Sequence, residues 1–477
     1  VVLFTLGAAL GLVIAIALQR FLTAYLDVGR NPIVLPLALD FRVLAFTALL
    51  TLLAGILAGL APALRAGRRS TFVDLRLAGS RNGNAWPISR ALVVVQVALS
   101  ITVLVGGSLF LRTLANLRSV DMGFRSAGVL TLSVQPLEST YPEARRSQAF
   151  DEVLRRVRAT PGAQSASLSV LTPLSGRSRG RRLLLPGFET RPEERDVNLN
   201  YVSPSFFETL GISLRLGRTF SDQDDAHAPR VALISEGAAK FYFGSGSAVG
   251  RTIAFAGDEE PRPTYTVVGV VADSKHRAVR DPAPRFVYLP LAQADDHATR
   301  LTLAVKTAAA PLAMADVVQR EIHSAGADIL VSDIETLEQQ IDRALLQERL
   351  VSSLSLGFAL VGVLLAALGL YGVTAYAVLR RTDEIGIRMA LGSTPAAVRW
   401  LMLRGSLGMA AIGVSIGIPA SLAAATLIRR FLYGVSPTDP LVLLVSATVL
   451  LGVTALAGYL PARRASRIDP VRALAAQ

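Results

Sequence analysis

The chain contains six apolar stretches, each about long enough to cross a lipid bilayer as a helix. A membrane-spanning helix needs ~20 mostly apolar residues, and none of these stretches carries an acidic residue in its middle. Only 18% of the residues are charged, whereas soluble proteins usually carry about 25%. The sequence therefore predicts a membrane protein, an α-helical transmembrane bundle of about six spans, over residues 1–19, 44–64, 91–111, 352–378, 401–428 and 441–462.

The first apolar stretch begins directly at Val1. It lacks the basic n-region and the small-residue cleavage site of a signal peptide, and five further stretches follow it. We expect a truncated helix here, in a chain that is the C-terminal part of a longer protein.

The net charge of +13 is distributed unevenly along the chain. Residues 118–349 hold 28 of the 49 Lys and Arg and 29 of the 36 Asp and Glu, so the whole excess lies among the apolar stretches. This is typical of basic loops beside membrane helices, where Lys and Arg favour the cytoplasmic side, and not of a nucleic-acid groove. Alternation through six spans then predicts that residues 114–350 lie outside the cytoplasm.

The block at 114–350 has the pattern of one large α/β domain inserted between spans three and four. Strand-like runs of β-branched or alternating residues occur at 129–134, 265–271 and 301–305, and helical periodicity occurs at about 142–159 and 311–325. Phe206, Phe207 and Leu210 have helical spacing and are predicted to pack in the domain core.

Two segments of the chain repeat each other. Residues 59–68 and 458–467 share the pattern Gly-x-x-Pro-Ala-x-Arg-Ala-x-Arg at a constant offset. We interpret this as an internal duplication, in which the first two spans end one repeat and the last two end another. Chance similarity between Gly- and Ala-rich helices followed by Arg is the alternative.

A short polar segment, Arg381 to Pro395, separates the fourth and fifth spans. Thr382 is a candidate N-cap, Glu384 and Arg388 are spaced to pair on one helix face, and Gly392 suits the helix end. The segment predicts a short amphipathic helix at the cytoplasmic surface. From the residues alone, it rests on lipid headgroups or docks on a partner protein.

This segment resembles the Glu-Ile-Gly-Ile-Arg-x-Ala-Leu-Gly signature of the MacB/FtsX-type ABC transporter permease family. Residues 201–212 with 217–220, and 267–273 with 284–290, resemble the MacB-like periplasmic core domain, and residues 461–474 resemble the terminal motif of the family. The resemblance implies a helix that couples the permease to a cytoplasmic ATPase, formed by Glu384, Ile385, Gly386, Ile387, Arg388, Ala390, Leu391 and Gly392.

The resemblance also implies a division of the chain. It assigns residues 1–65 to the last two helices of a first FtsX-like unit, residues 66–90 to a cytoplasmic basic linker and residues 91–113 to a transmembrane helix. It assigns residues 114–350 to the MacB-like periplasmic core domain, residues 351–465 to an FtsX-like permease domain with three spans and coupling segment 381–395, and residues 466–477 to a cytoplasmic tail. The implied function is that of a multi-pass inner-membrane permease subunit that transmits ATP hydrolysis to the periplasmic domain for efflux. Its expected partners are a cytoplasmic ABC ATPase, the lipid membrane, and a periplasmic adaptor or second permease unit; no nucleic acid is expected.

Enzyme chemistry has little support in the sequence. There is no Cys, the four His residues are far apart, and no P-loop, zinc-protease or serine-hydrolase motif occurs. No cofactor, metal or catalytic residue is predicted, and each His is expected on the surface or on a face of the domain. Two alternatives stay open: a membrane-anchored sensor that binds an extracytoplasmic ligand, and a membrane enzyme, which would require Asp273, His276 and Asp281 to converge in a cleft.

Overall fold

A computed structural model describes residues 85–185, 196–256, 262–294 and 298–466, with scattered positions between residues 7 and 56. The chain divides into two units: a helical unit and an α/β unit that follows its first described helix. That helix, α1, covers Ala85–Arg118 and is apolar over the 30 residues from Ser89. The predicted spans at 1–19 and 44–64 lie largely outside the described residues.

The α/β unit contains a mixture of short strands and short helices. Its described elements, in chain order, are β1 (Val129–Pro136), α2 (Glu143–Ala159), β2 (Ala163–Ser169), β3 (Gly180–Leu184), β4 (Asp196–Val202), α3 (Phe206–Leu210), β5 (Leu214–Gly217), β6 (Val231–Ser235), α4 (Glu236–Phe243), β7 (Thr252–Phe255), β8 (Thr264–Val271), β9 (Phe286–Pro290), β10 (Leu301–Thr307), α5 (Ala315–Ala325), β11 (Ile329–Thr336) and α6 (Leu337–Ala344).

Four of these strands form an antiparallel sheet in the order β11-β1-β10-β2. Helices α2 and α5 pack with it, because their apolar residues recur at helical spacing on one side. Val153 and Val157 of α2 and Val318 and Ile322 of α5 are fully buried in the resulting core with Leu132 and Leu303. The predicted strands at 129–134 and 301–305 and the two predicted helices are therefore confirmed.

Six other strands form a closed ring. Their order is β4-β3-β7-β8-β6-β9, and β9 pairs in parallel with β4 to complete the circuit. A closed ring leaves none of its strands with a free edge. The fifth strand, β5, pairs with β8 beside the ring, and the ring joins the four-stranded sheet where Ser169 pairs with Val202.

The predicted aromatic core residues occupy one turn of helix, α3. Phe206, Phe207 and Leu210 are buried, and Phe207 meets Tyr288 edge-to-face with ring centroids 5.1 Å apart. Gly211 ends the helix with a left-handed φ of 64°, a conformation that glycine adopts without steric cost. These aromatic side chains therefore serve the core of the domain, as predicted.

The helical unit continues after the α/β unit. Helix α7 covers Leu346–Arg380, the short helix α8 covers Thr382–Ala390, α9 covers Pro395–Leu427 and α10 covers Pro440–Ala465. Among the described residues, four helices are long and apolar enough to cross a membrane: α1, α7, α9 and α10. Thr394 and Asp439 cap the starts of α9 and α10, and a proline follows each cap.

Half of the glycines in α7 and α9 lie at contacts with α1. Gly413 and Gly417 of α9 face Val97 and Ala98 so closely that a Cβ at either position would overlap α1. The α7 glycines Gly362 and Gly369 also face α1, whereas nothing described lies within 4 Å of a Cβ at the remaining four, Gly357, Gly372, Gly405 and Gly408. Small residues let membrane helices approach closely, so four of the eight glycines serve helix packing.

Candidate functional site

The candidate coupling segment begins where a single residue that is not helical separates α7 from α8. That residue is Arg381, whose φ is −110° and ψ is 16°. The prediction that Thr382 caps α8 is wrong, because Thr382 is the first helical residue. Its hydroxyl instead donates to the Val378 and Leu379 carbonyls, at 3.1 and 3.0 Å. The Thr382 side chain therefore ties α8 to the end of α7.

The end of α8 is defined by Gly392, as predicted. Its φ of 94° is left-handed, its N–H donates to the Met389 carbonyl at 3.1 Å, and the Ser393 N–H donates to the Arg388 carbonyl at 2.9 Å. These two bonds form a Schellman motif, which satisfies carbonyls that the helix leaves free. Thr394 then accepts the Ala397 N–H at 3.3 Å, so the next helix starts at the following residue, Pro395.

An ion pair lies on the outer side of α8. The Arg388 guanidinium donates to the Glu384 carboxylate at 2.7 Å, and Arg381 lies 4.0 Å from the same carboxylate. Both members of the pair are about half exposed, so the pair contributes little to stability. The predicted pairing of residues 384 and 388 is confirmed, and its charges are accessible.

The opposite side of α8 packs on the spanning helices. Ile385 is 2% exposed and lies in a cluster formed by residues of three different helices. Gly386, next to it, is also buried. The other members of this cluster are Val378 of α7, Val398 and Met402 of α9, and Ala462 of α10.

The apolar residues of α8 are covered only in part. Met389 packs against the same cluster, whereas Ile387 is 49% exposed and Leu391 is 82% exposed. Gly392 is exposed as well, and the side chain of Ala390 lies outside the described residues. Two exposed apolar residues flanked by an accessible ion pair form a surface that differs from the buried side. We call Glu384, Ile387 and Arg388, together with Leu391 directly after the helix, the outer face of α8.

Polar contacts also join the spanning helices to one another. The Thr374 and Ser406 hydroxyls are 2.8 Å apart, both buried, and they join α7 to α9. Arg464 of α10 donates to the Tyr371 hydroxyl of α7 at 3.0 Å. Neither pair was predicted, because isolated Ser, Thr and Tyr residues in apolar stretches carry no signal about their partners.

The residues of the membrane-enzyme alternative do not form a catalytic cleft. His276 is 1% exposed, which corrects its predicted surface position, and its ring lies 4.0 Å from that of Phe286. Burial lowers the pKa of His276 to about 4. The Asp273 carboxylate accepts the Gly237 N–H at 2.8 Å, while Asp281 lies 3.7 Å from Arg277. Within the described part of the chain, no three His, Asp or Glu residues are grouped to hold a metal.

Two family models match consecutive parts of the chain. The MacB-like periplasmic core domain matches residues 91–324, and the FtsX-like permease C-terminal matches residues 356–470. The chain belongs to the MacB/FtsX-type permease family. The second match includes α8, so the segment described above lies inside the FtsX-like region.

Curated relatives of this MacB/FtsX-type chain are export proteins by name. It is 28% identical over 316 residues to the probable syringafactin export ATP-binding/permease protein SyfD of Pseudomonas syringae, covering 64% of this chain and 45% of that protein. It is 26% identical over 292 residues to the macrolide export ATP-binding/permease protein MacB of Mannheimia succiniciproducens, covering 58% and 43%. The chain thus spans under half the length of these relatives.

One solved structure similar to this chain is the periplasmic region of MacB from Actinobacillus actinomycetemcomitans. It shares 18% identity and a TM-score of 0.32, over 48% of this chain and 98% of that one.

Proposed function

We propose that the chain is the membrane subunit of an ABC-type exporter, in which the outer face of α8 docks on a separate ATP-hydrolysing protein. The observation that carries the proposal is the two-sided character of α8. Ile385 attaches the helix to three spanning helices, while Ile387 and Leu391 stay exposed beside the Glu384–Arg388 pair. Exposed apolar residues rimmed by charge are typical of a protein interface.

The names of the relatives support an ATP-hydrolysing partner. Both relatives carry ATP-binding and permease in one name, and the sequence of this chain contains no P-loop motif. We therefore assign ATP hydrolysis to a separate protein. A periplasmic adaptor and a second permease unit remain further proposed partners.

The proposed topology follows from charge. Arg380, Arg381 and Arg388 lie near α8, and Arg463 and Arg464 lie at the end of α10, so both ends belong on the cytoplasmic side by the positive-inside rule. Residues 114–350 then lie in the periplasm of an inner-membrane protein, and residues 351–465 form the permease domain. This arrangement places ATP hydrolysis and the α/β unit on opposite sides of the membrane.

We propose mechanical transmission as the mode of action. A partner that moves α8 moves Ile385, and with it the ends of α7, α9 and α10 that surround Ile385. Helix α7 continues directly into the chain of the α/β unit. The spans lack acidic residues in their middle, so a charged solute pathway through them has no support.

The test compares two leucines with the same exposure at opposite ends of the helical unit. Leu391 and Leu427 are each 82% exposed, Leu391 beside α8 and Leu427 at the far end of α9. The full chain is reconstituted in proteoliposomes with the ATPase that co-purifies with it, and ATP hydrolysis is measured. Leu391→Ser should weaken the stimulation about tenfold, because burying a leucine is worth about 1.5–3 kcal/mol. Leu427→Ser should leave it unchanged.

A charge swap separates docking from helix stability. Glu384→Arg alone breaks the pair within α8, and the double variant with Arg388→Glu restores it in reverse order. If the partner contacts Glu384 and Arg388 directly, the double variant should still stimulate ATP hydrolysis poorly. Rescue by the double variant together with normal activity of Leu391→Ser would refute docking on the outer face of α8.

A further inference from the structure

The α/β unit contains a second feature that is independent of α8: a polar cleft with a volume of about 410 Å³. It is bounded by β1, the loop after β2, the end of β11 and α6. Sites for small ligands typically enclose about 300–1,000 Å³, so the cleft has room for a compact molecule. We call it the arginine cleft, because four arginines line it: Arg177, Arg277, Arg300 and Arg343.

Positive charge dominates the arginine cleft. Two acidic residues also line it, Asp333 and Glu335, and Arg343 lies 2.9 Å from the Glu335 carboxylate. The four arginines therefore outnumber the acids by two. Burial raises the pKa of Glu335, although the positive charge of Arg343 opposes the rise. Guanidinium groups bind carboxylate and phosphate through paired hydrogen bonds.

Buried polar atoms in the cleft lack partners. Gln340 is 8% exposed, yet its side-chain oxygen has no hydrogen-bond partner among the described residues, and the same holds for the buried Ser175 hydroxyl oxygen. Both residues line the cleft. A buried polar group without a partner costs about 1–3 kcal/mol, so a ligand group that supplied a hydrogen bond here would recover part of that cost.

Backbone strain is concentrated at the same place. Among the described residues, two that are not glycine have a left-handed φ: Leu174 at 59° and Asp333 at 53°. Both line the arginine cleft. Such conformations persist where the surrounding structure enforces them, and they cluster at binding sites.

We propose that the arginine cleft binds a small organic anion, held by its carboxylate or phosphate on the arginines and by a hydroxyl hydrogen donated to Gln340. Arg300 is oriented by its bonds to the Gln135 side-chain oxygen, at 3.0 and 2.8 Å, and Arg343 by Glu335. Arg177 and Arg277 are exposed at the rim. The site requires neither the ATPase nor α8, so it stands even if the proposed function fails.

The experiment is isothermal titration of the full chain in a neutral detergent with three ligands. Gluconate presents a carboxylate with hydroxyls, glycerol 3-phosphate presents a phosphate with hydroxyls, and glycerol is the uncharged control. At least one anion should bind saturably and more weakly as salt is raised, and glycerol should not. The anion that binds identifies the class of ligand.

Variants connect binding to the cleft. The double variant Arg177→Gln with Arg277→Gln should weaken binding at least tenfold, since each arginine contributes charge-assisted bonds. Arg145→Gln is the matched control, an exposed arginine on α2 that does not line the cleft, and it should bind as the parent does.

Gln340→Leu distinguishes ligand binding from a structural role. It removes the unpartnered buried oxygen, so the ligand-free chain should melt at the same or a higher temperature while the anion binds more weakly. A lower melting temperature with unchanged affinity, absence of saturable binding by both anions, or equal affinity in the rim double variant would overturn the proposal.

Discussion

The close contact between α1 and α9 predicts the effect of adding one methyl group at Gly417. A Cβ at this position would lie 2.8 Å from the Ala98 carbonyl oxygen and would also overlap the Ile101 side chain. The Ala98 oxygen belongs to the backbone of a helix, so it can withdraw only if the two helices separate. Gly417→Ala therefore requires α1 and α9 to move apart, and the Ile101 side chain must give way as well.

The magnitude follows from two opposing terms. Overpacking a close-packed contact costs about 1–3 kcal/mol, and replacing glycine by alanine within a helix gains up to about 1 kcal/mol. Gly408 lies on the same helix, and nothing described lies within 4 Å of a Cβ there. Gly408→Ala therefore gains helix propensity without any packing cost. The difference between the two variants isolates the packing cost of about 1–3 kcal/mol.

The assay is thermal unfolding of the full chain in one detergent at one heating rate, followed by intrinsic fluorescence. Gly417→Ala should unfold several degrees below Gly408→Ala, since 1 kcal/mol corresponds to about 2–4 °C in a unit of this size. Gly413→Ala should behave like Gly417→Ala, because its Cβ would lie 2.9 Å from the Val94 carbonyl oxygen. If all three variants unfold at the same temperature, the close packing of α1 on α9 is refuted.

Three further predictions concern single side chains. Because burial lowers the pKa of His276 to about 4, stability should fall as the pH drops from about 6.5 to 4, by on the order of 3 kcal/mol; His276→Phe should remove this slope in pH-dependent unfolding. The Arg218 hydrogen bonds lower the pKa of Asp224, so Asp224→Asn should cost about 1–3 kcal/mol near pH 7 in urea unfolding and progressively less below pH 4. Asp439 accepts two N–H groups of α10, so Asp439→Ala should cost about 1 kcal/mol by thermal unfolding, while Asp439→Asn should retain most of the cap.

Local patterns in the sequence were sufficient to predict helices and strands that follow a single hydrophobic pattern. The apolar stretches predicted α1, α7, α9 and α10, and the alternating run at 265–271 predicted β8 within one residue. The ring of strands was not predicted, because it depends on the parallel pairing of Asn198 with Phe286 and their neighbours. Such pairing joins residues about ninety positions apart, and no local pattern specifies it.

The position of His276 illustrates the same limit in the core. Histidine is usually at least partly exposed, and each His was predicted on the surface or on a face of the domain. The structure buries His276 because Phe286 and Tyr288 form an aromatic wall from β9, with the imidazole ring against it. The Ser274 hydroxyl lies within 3.4 Å of the ring nitrogen Nδ1. The burial of His276 therefore depends on how β9 pairs with its neighbouring strands, which the local sequence does not specify.

The candidate site shows what sequence can and cannot specify about α8. Spacing predicted the Glu384–Arg388 pair and the end of the helix at Gly392, since both depend on residues within one turn. Spacing did not decide which apolar residues are covered, because Ile385 is buried by residues from three helices. That arrangement has a mechanical consequence: α8 cannot rotate or slide without displacing Ile385 from this cluster. Under the proposed function, force applied at the outer face of α8 would pass to α7, α9 and α10 through this cluster. Ile385→Ala should therefore leave binding of the ATPase unchanged in a co-purification assay while lowering export measured in proteoliposomes.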